Sequence, residues 1–334
     1  MSPTHPAGPT RSTVHASAEQ VATLTTGSGD LELCYQTFGD ASDEPILLVM
    51  GLGGPMTWWH PTFCQKLAER GYFVVRYDNR DTGRSSRVGG RITRRGIVST
   101  FVGRSGAPPY TMVDLAEDGF GLLEHLGHSS AHVVGISMGG MIAQTMALQH
   151  PDRVRSLTSI MSTTGRRSVG WQDPRLLPML LARRAQTRES YVAASARLWK
   201  VIGSPLYPDA AATVQDRAGE TWDRGVSAAG VARQMSAILS QPDRTHALRQ
   251  LDLPALVIHG MSDKMVHVSG GRATAHALRG SELLLVPGMG HDLPPELHDT
   301  FVDAITRTAQ RARPAPRGGS RPSPTRRGPS RGRR

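Results

Sequence analysis

The feature that most constrains this chain of 334 residues is a serine between two glycines, directly after a short apolar run. The sequence Gly-Ile-Ser-Met-Gly occupies residues 135–139 and follows a β-branched stretch that starts at Ala131, while residues 138–149 have the apolar spacing of a helix. A serine in such a sharp strand-to-helix turn has a strained backbone, so the residues two positions away must be small. The pattern predicts an exposed nucleophile, Ser137.

A serine hydroxyl is a weak nucleophile unless a base accepts its proton, and the base is usually oriented by an acid. Two later strand patterns end close to suitable groups. The run 255–259 leads into a loop that carries Asp263, and the run 282–286 leads into a loop that carries His291. Because an open α/β sheet places its site beyond the carboxyl ends of the strands, we expect the three side chains to meet there.

Two further segments carry a resemblance to a known family. Residues 74–85, Val-Val-Arg-Tyr-Asp-Asn-Arg-Asp-Thr-Gly-Arg-Ser, and residues 287–291, Pro-Gly-Met-Gly-His, stand beside the serine motif. Together they resemble the α/β-hydrolase superfamily and, within it, esterases of the aclacinomycin methylesterase type. The resemblance spans about residues 31–310 and is weakest between 165 and 245. It implies an α/β-hydrolase fold, with a mostly parallel sheet flanked by helices and a helical cap insertion.

The resemblance also implies a role for each residue that matches the family pattern. Ser137 would be the nucleophile, and His291 would act as general base and then as general acid. Asp263 would hold the imidazole tautomer and stabilise the imidazolium. The oxyanion hole would use the backbone N–H groups of Leu52 and Met138.

The loop that would supply the Leu52 donor departs from the family pattern. Many relatives carry His-Gly where this chain has Met50-Gly51, so the side-chain anchoring of the loop is expected to differ. The charged residues Asp78 and Arg80 could brace this loop through charge-assisted hydrogen bonds. We interpret their segment as structural rather than catalytic, and Trp58-Trp59 as an aromatic pair that packs on the first helix.

Each site assignment has a simpler alternative. Ser137 could be an ordinary helix N-cap, since serine is favoured there, and Asp263 could be a turn residue. An alternative acid would follow the strand predicted at 156–161, but that position holds only Ser162, Thr163 and Thr164. We therefore favour the catalytic interpretation. The other twelve histidines are interpreted as solvated or structural groups.

Strand and helix patterns alternate along most of the chain, which favours a mostly parallel sheet. Thr111-Met112-Val113-Asp114 has capping-box spacing before a helix that runs to Leu126, and residues 294–310 form a last amphipathic helix. The predicted strands are 31–38, 46–49, 73–77, 131–135, 156–161, 255–259 and 282–286.

The domain organisation follows from where these patterns stop. Residues 19–310 are expected to form the α/β-hydrolase domain. Strand signals cease between about 165 and 245, where a helical cap would shape a large, apolar substrate pocket. Residues 1–18 and the Arg- and Pro-rich tail at 311–334 are too polar to bury and are expected to be disordered.

The formal net charge of +11 is concentrated at one end of the chain. The tail at 311–334 contains nine arginines and no acidic residue, so the rest of the chain carries only +2. This tail could bind nucleic acid or anionic membrane surfaces through salt-sensitive contacts, although a solvated extension is the favoured interpretation. No obligate nucleic-acid or membrane partner is expected.

No metal and no cofactor are expected. Cys34 and Cys64 give neither a metal spacing nor a disulfide framework, and the chain has no phosphate-binding or dinucleotide glycine motif. The N terminus lacks the apolar run of a signal peptide, and no stretch has the length of a membrane span. A cytoplasmic location is therefore the default expectation.

Taken together, the motifs predict a serine hydrolase that cleaves a small-molecule carboxylic ester through an acyl-enzyme intermediate. Thioesterases, lactonases, C–C bond hydrolases and perhydrolases keep the same triad, so they stay open as alternatives. A non-catalytic binding protein on this fold is a further alternative, although such a protein usually lacks a triad member.

Overall fold

Eight strands form one sheet in the part of the chain that the computed structural model describes, namely residues 15–26, 29–90, 92, 108–176, 178–179 and 185–312. The strands are β1 (Gln20–Thr26), β2 (Gly29–Phe38), β3 (Glu44–Val49), β4 (Tyr72–Tyr77), β5 (Ala131–Ile136), β6 (Val154–Ile160), β7 (Ala255–Gly260) and β8 (Glu282–Val286). Their spatial order is β1-β2-β4-β3-β5-β6-β7-β8. From β4 to β8 all neighbours are parallel, whereas β1 and β2 form an antiparallel hairpin, and β2 pairs antiparallel with β4.

All seven strands predicted from the sequence are present, with ends that differ by at most two residues. The sequence patterns do not predict β1, whose stability depends on its partner. It pairs along its whole length with β2, from Gln20 opposite Tyr35 to Thr26 opposite Gly29. Ala22 and Leu24 are the two buried side chains of β1, so the strand has little apolar pattern of its own.

Helices cover both faces of the sheet. They are α1 (Pro61–Glu69), α2 (Met112–His125), α3 (Met138–Gln149), α4 (Arg188–Ile202), α5 (Ala211–Gly225), α6 (Ala228–Ser240), α7 (Thr245–Leu248), α8 (Ser269–Ala277) and α9 (His298–Gln310). The predicted capping box is confirmed, because Thr111 and Asp114 exchange side-chain to backbone hydrogen bonds at the start of α2. The predicted last helix begins as a 3₁₀ turn, Pro295–Leu297, and continues as α9.

The core has two layers, one on each side of the sheet. Alternate residues of β3 enter different layers, because successive side chains of a strand point to opposite faces. Leu47 packs with side chains of α2 and α3, whereas Leu48 packs with side chains of α1 and α9. The central strands β4, β5 and β7 are buried throughout, as expected for parallel strands covered on both faces.

Between β6 and β7 the described residues form α4 to α7 and contain no strand, as the sequence patterns predict. The indole N–H of Trp58 donates to Thr221 Oγ1 of α5 (2.9 Å), and its ring meets Trp199 of α4 edge to face. Trp59 instead stacks on Phe63 of α1, with ring centroids 5.6 Å apart. Trp59 therefore packs on the first helix as expected, whereas Trp58 also links the turn after β3 to α4 and α5.

The two terminal segments expected to be disordered fall mostly outside the described residues, which begin at 15 and end at 312. The N–H of Ser17 donates to the Thr37 carbonyl of β2 (2.8 Å). None of the helices in the described ranges combines the length and the apolar character needed to cross a bilayer.

Candidate active site

Ser137 lies at the sharp turn between β5 and α3. Its φ of 56° and ψ of −119° are strained for a residue with a side chain. A Cβ on Gly135 would lie 2.0 Å from the Gly139 carbonyl oxygen, so the two flanking glycines are required by close backbone packing. The Ser137 side chain makes no capping hydrogen bond to α3. The N-cap interpretation therefore does not describe this serine.

The three side chains selected from the sequence form one hydrogen-bonded chain. Nε2 of His291 lies 3.1 Å from Oγ of Ser137, and Nδ1 of His291 lies 2.7 Å from Oδ2 of Asp263. The three residues follow β5, β7 and β8, respectively, at the carboxyl edge of the sheet. An imidazole held between a carboxylate and a hydroxyl can accept the hydroxyl proton.

The two carboxylate oxygens of Asp263 have separate partners. Oδ1 accepts hydrogen bonds from the backbone N–H groups of Met265 (2.8 Å) and Val266 (2.9 Å), which is the turn role considered above. Oδ2 faces His291 Nδ1 at 2.7 Å and His259 Nε2 at 3.5 Å. The turn and the orientation of the imidazole are therefore two functions of one buried side chain.

The environment of Asp263 favours its ionised form. Burial by itself would raise the pKa of this carboxyl, but the charge of His291 and the hydrogen bonds from His259 and His291 outweigh burial and lower the pKa below its ordinary value. The acid is thus held as a carboxylate that can stabilise an imidazolium.

His259 is the neighbour of the site that the sequence patterns did not single out. It is fully buried near the end of β7, and its Nε2 lies 2.8 Å from the Val266 carbonyl oxygen and 3.5 Å from Oδ2 of Asp263. The available signal was a histidine four positions before the acid, inside a buried strand run. His259 is buried, which agrees with the structural role expected for the histidines other than His291. It also contributes to the lowered pKa of Asp263.

The loop that carries His291 is held by the end of α4. The His291 N–H donates to the Ile202 carbonyl (2.7 Å), and the Gly290 N–H donates to Ser204 Oγ (2.8 Å). A Cβ on Gly290 would lie 2.4 Å from the Gly203 carbonyl oxygen, so the two backbones are in direct contact. These contacts with residues 202–204 hold the loop that carries the imidazole. No local sequence pattern predicts them.

Residues 50–54, which we name the β3 exit loop, pass against Ser137. A Cβ on Gly51 would lie 3.2 Å from the Cβ of Ser137 and 3.7 Å from its Oγ. The loop closes as a turn in which the Gly54 N–H donates to the Gly51 carbonyl (3.2 Å) and Gly53 has a φ of 63°. Leu52, the second residue of this turn, directly follows Gly51, which lies against Ser137. Met138 directly follows Ser137 itself. The two predicted oxyanion donors are therefore each one residue away from a group at the nucleophile.

The segment after β4 braces the β3 exit loop with a different side chain from those expected. The side-chain amide of Asn79 donates to the Met50 carbonyl (2.9 Å), while Arg80 forms an ion pair with Asp118 of α2. Asp78 accepts from the N–H of Met56, just beyond the loop (2.7 Å). The structural interpretation of this segment agrees with these contacts, but Arg80 does not brace the loop through its side chain.

Metal binding is not indicated in the described ranges, where no cluster of three His, Cys, Asp or Glu side chains is arranged to hold an ion. Cys34 and Cys64 are both buried and free. Burial raises the pKa of the Cys34 thiol to about 11, and the charges of Asp78 and Glu19 add to that shift. Burial also raises the pKa of the Cys64 thiol.

Comparison with known proteins agrees with the fold. The alpha/beta hydrolase fold family matches residues 44–296. A rhodomycin D methylesterase of Streptomyces sp. (strain C5) is 30% identical over 305 residues, which cover 83% of this chain and 94% of that protein.

Two solved structures share the fold at lower identity. A thermophilic esterase from Thermogutta terrifontis has a TM-score of 0.67 and 22% identity, and the match covers 87% of this chain and 99% of that one. The enol-lactonase from Burkholderia xenovorans LB400 has a TM-score of 0.66 and 21% identity, covering 86% and 100% of the two chains. The family match over most of the chain, together with the methylesterase relative, shows that this protein belongs to the α/β-hydrolase fold family.

Proposed function

We propose that this protein is a serine hydrolase that cleaves a carboxylic ester through Ser137, His291 and Asp263. The observation that carries the proposal is the unbroken contact from Asp263 Oδ2 through both nitrogens of His291 to Ser137 Oγ. The strained turn at Ser137 supports it, because that turn exposes the hydroxyl at the sheet edge without giving it a capping role.

In the proposed reaction, Ser137 Oγ attacks the ester carbonyl carbon while His291 Nε2 takes the hydroxyl proton. The tetrahedral intermediate collapses, the C–O bond to the alcohol breaks, and His291 returns the proton to the leaving alcohol. A water molecule then attacks the acyl-enzyme, with His291 again as base, and releases the acid and free Ser137.

The negative oxygen of each tetrahedral intermediate would be bound by the backbone N–H groups of Leu52 and Met138. Loss of one such donor typically costs about two to three orders of magnitude in rate, so the hole matters nearly as much as the base. Asp263 would stay ionised throughout and stabilise the imidazolium, which agrees with its lowered pKa.

The name of the relative favours an ester substrate. The Streptomyces protein is a rhodomycin D methylesterase, and its match covers 83% of this chain. The family match over residues 44–296 spans Ser137, Asp263 and His291. We therefore place a small-molecule carboxylic ester, such as a methyl ester, ahead of thioesters, lactones, C–C bonds and perhydrolysis, and ahead of a binding role without catalysis.

The test compares wild type, Ser137→Ala and Ser42→Ala, a control at an exposed loop position. Hydrolysis is measured on p-nitrophenyl esters from acetate to laurate and on matched acyl thioesters, and a fluorophosphonate probe reports covalent labelling. We expect wild type and Ser42→Ala to hydrolyse esters and to be labelled, and Ser137→Ala to lose both. Labelling that persists in Ser137→Ala would overturn the nucleophile assignment, and turnover of thioesters alone would favour a thioesterase.

A further inference from the structure

We infer that Gln234 on α6, 181 residues away from Gly53 of the β3 exit loop in sequence, is a positioning residue for the oxyanion hole. The inference rests on the proposed function, because it concerns the backbone donor that Leu52 would supply. Gln234 is fully buried, and it reaches from the inserted helices to the β3 exit loop.

All polar groups of the Gln234 amide are engaged. Oε1 accepts a hydrogen bond from the Gly53 N–H (2.8 Å), and Nε2 donates to the Arg80 carbonyl and to Thr82 Oγ1 (both 2.9 Å). A backbone carbonyl can only accept, so the Arg80 contact determines which end of the amide is nitrogen. Oε1 must then face the N–H of Gly53.

This N–H belongs to the central peptide of the turn that contains Leu52. The turn is otherwise closed by the hydrogen bond between Gly51 and Gly54, which is long at 3.2 Å. Gly53 has a positive φ, and in tight turns the central peptide can adopt either of two opposite orientations. Gln234 holds one of them. The Leu52 N–H lies one peptide away, so a turn without this anchor would be free to displace the donor.

Gln234 is itself held in place. Its neighbour Arg233 forms a buried two-point ion pair with Asp81, with Nε and Nη2 at 2.8 and 2.6 Å from the two carboxylate oxygens. One turn earlier on α6, Val231 packs against Gly53, where an added Cβ would lie 2.8 Å from Val231 Cγ2. The amide is therefore presented by a fixed helix and not by a mobile side chain on the surface.

The experiment compares the full-length wild type with three single-substitution variants. Gln234→Met removes all three hydrogen bonds at nearly constant volume. Thr82→Val removes one contact of the same amide but leaves the Gly53 contact, so it controls for lost stability. Gln215→Met makes the same chemical change at an exposed position of α5.

Four quantities are measured on each protein: kcat and KM for a p-nitrophenyl ester, the inhibition constant of a trifluoromethyl ketone, and hydrogen exchange of peptides that cover residues 50–56. The ketone forms a hemiketal with Ser137 whose oxyanion occupies the hole, so its affinity reports the donors. A misplacement of about 1 Å costs roughly a hundredfold in rate. For Gln234→Met we expect kcat and ketone affinity each to fall about 10- to 100-fold, KM to change less than about threefold, and residues 50–56 to exchange faster.

Thr82→Val and Gln215→Met should stay within about threefold of wild type in kcat and ketone affinity. The inference is overturned if Gln234→Met keeps wild-type ketone affinity and exchange, or if Thr82→Val loses as much of both. If wild type hydrolyses no ester, or if Ser137→Ala keeps the activity, the proposed function fails and the oxyanion role of Gln234 fails with it. An active wild type with an unchanged Gln234→Met variant overturns only the inference.

Discussion

Gly139 lies directly against Val49, the last residue of β3, so closely that a Cβ on the glycine would be 2.0 Å from the Val49 carbonyl oxygen. Real Cβ atoms do not approach backbone oxygens at that distance. The second glycine of the serine motif is therefore required by the neighbouring strand as well as by the turn itself. One glycine of a local sequence motif is thus required by a tertiary contact.

The first prediction follows from this contact. Gly139→Ala should lower the free energy of unfolding by several kcal/mol, on the order of 4 or more, or prevent folding, because neither backbone can move away without breaking the sheet. Gly89→Ala is the control, since Gly89 is exposed and an added Cβ there meets nothing within 4 Å. Urea unfolding of both variants is the measurement. Equal stability of the two would contradict the packing argument.

The second prediction concerns the buried ion pair between Arg224 of α5 and Asp78. Arg224 Nη2 lies 2.8 Å from Asp78 Oδ2, and both side chains are almost fully buried. Removing one partner leaves a buried charge unpaired, so Arg224→Met should cost roughly 3 to 5 kcal/mol in chemical unfolding.

A second arginine ion pair, which also involves α5, serves as the control. Arg188 of α4 and Asp223 of α5 also form an ion pair, but both side chains are about half exposed. Solvent and salt screen such a pair, so Arg188→Met should leave the unfolding midpoint close to that of wild type. The argument would be wrong if the two arginine variants lost comparable stability.

The third prediction uses the lowered pKa of Asp263. A carboxyl whose pKa is lower in the folded than in the unfolded state stabilises the fold above its ordinary pKa, here 3.8, and that contribution is lost as the pH falls toward the folded value. The stability difference between wild type and Asp263→Asn should therefore be constant above about pH 5 and shrink below 3.8. Denaturant unfolding at several pH values measures it. If the stability difference between the two proteins grew as the pH fell, the pKa of Asp263 would be raised by folding rather than lowered.

The fourth prediction concerns His132, which is fully buried in β5 beside Ser156 and Glu44. Burial lowers the pKa of His132 to about 4, although Glu44 opposes the shift. Below pH 6.5 the unfolded chain therefore binds a proton that the folded chain does not, and stability is lost as the pH falls from 6.5 to about 4.

His132→Gln should remove this dependence. Since each pH unit in the window is worth about 1.4 kcal/mol, wild type should lose about 3 kcal/mol more than the variant between pH 7 and pH 4. Thermal or urea unfolding across that range is the measurement. Parallel pH profiles for the two proteins would show that His132 does not titrate as proposed.

Much of the architecture was predictable because its signals are local. The serine motif, the capping box at Thr111 and the apolar strands each depend on residues that are neighbours in the chain. The chain order of Ser137, Asp263 and His291 at strand ends was enough to expect them together, because parallel strands share one edge. Strand β1 was missed since its pairing partner, β2, supplies what its own sequence lacks.

The supports of the site follow a different physical rule. Gln234 meets Gly53 across 181 residues, Arg224 meets Asp78 across 146, and Ser204 meets Gly290 across 86. A hydrogen bond between such residues depends on how whole helices pack against the sheet, and no local pattern encodes that packing. The sequence alone thus specified which groups stand at the ends of the strands. The packing of the inserted helices determined how those groups are held, because buried polar atoms take whichever partners the fold brings within reach.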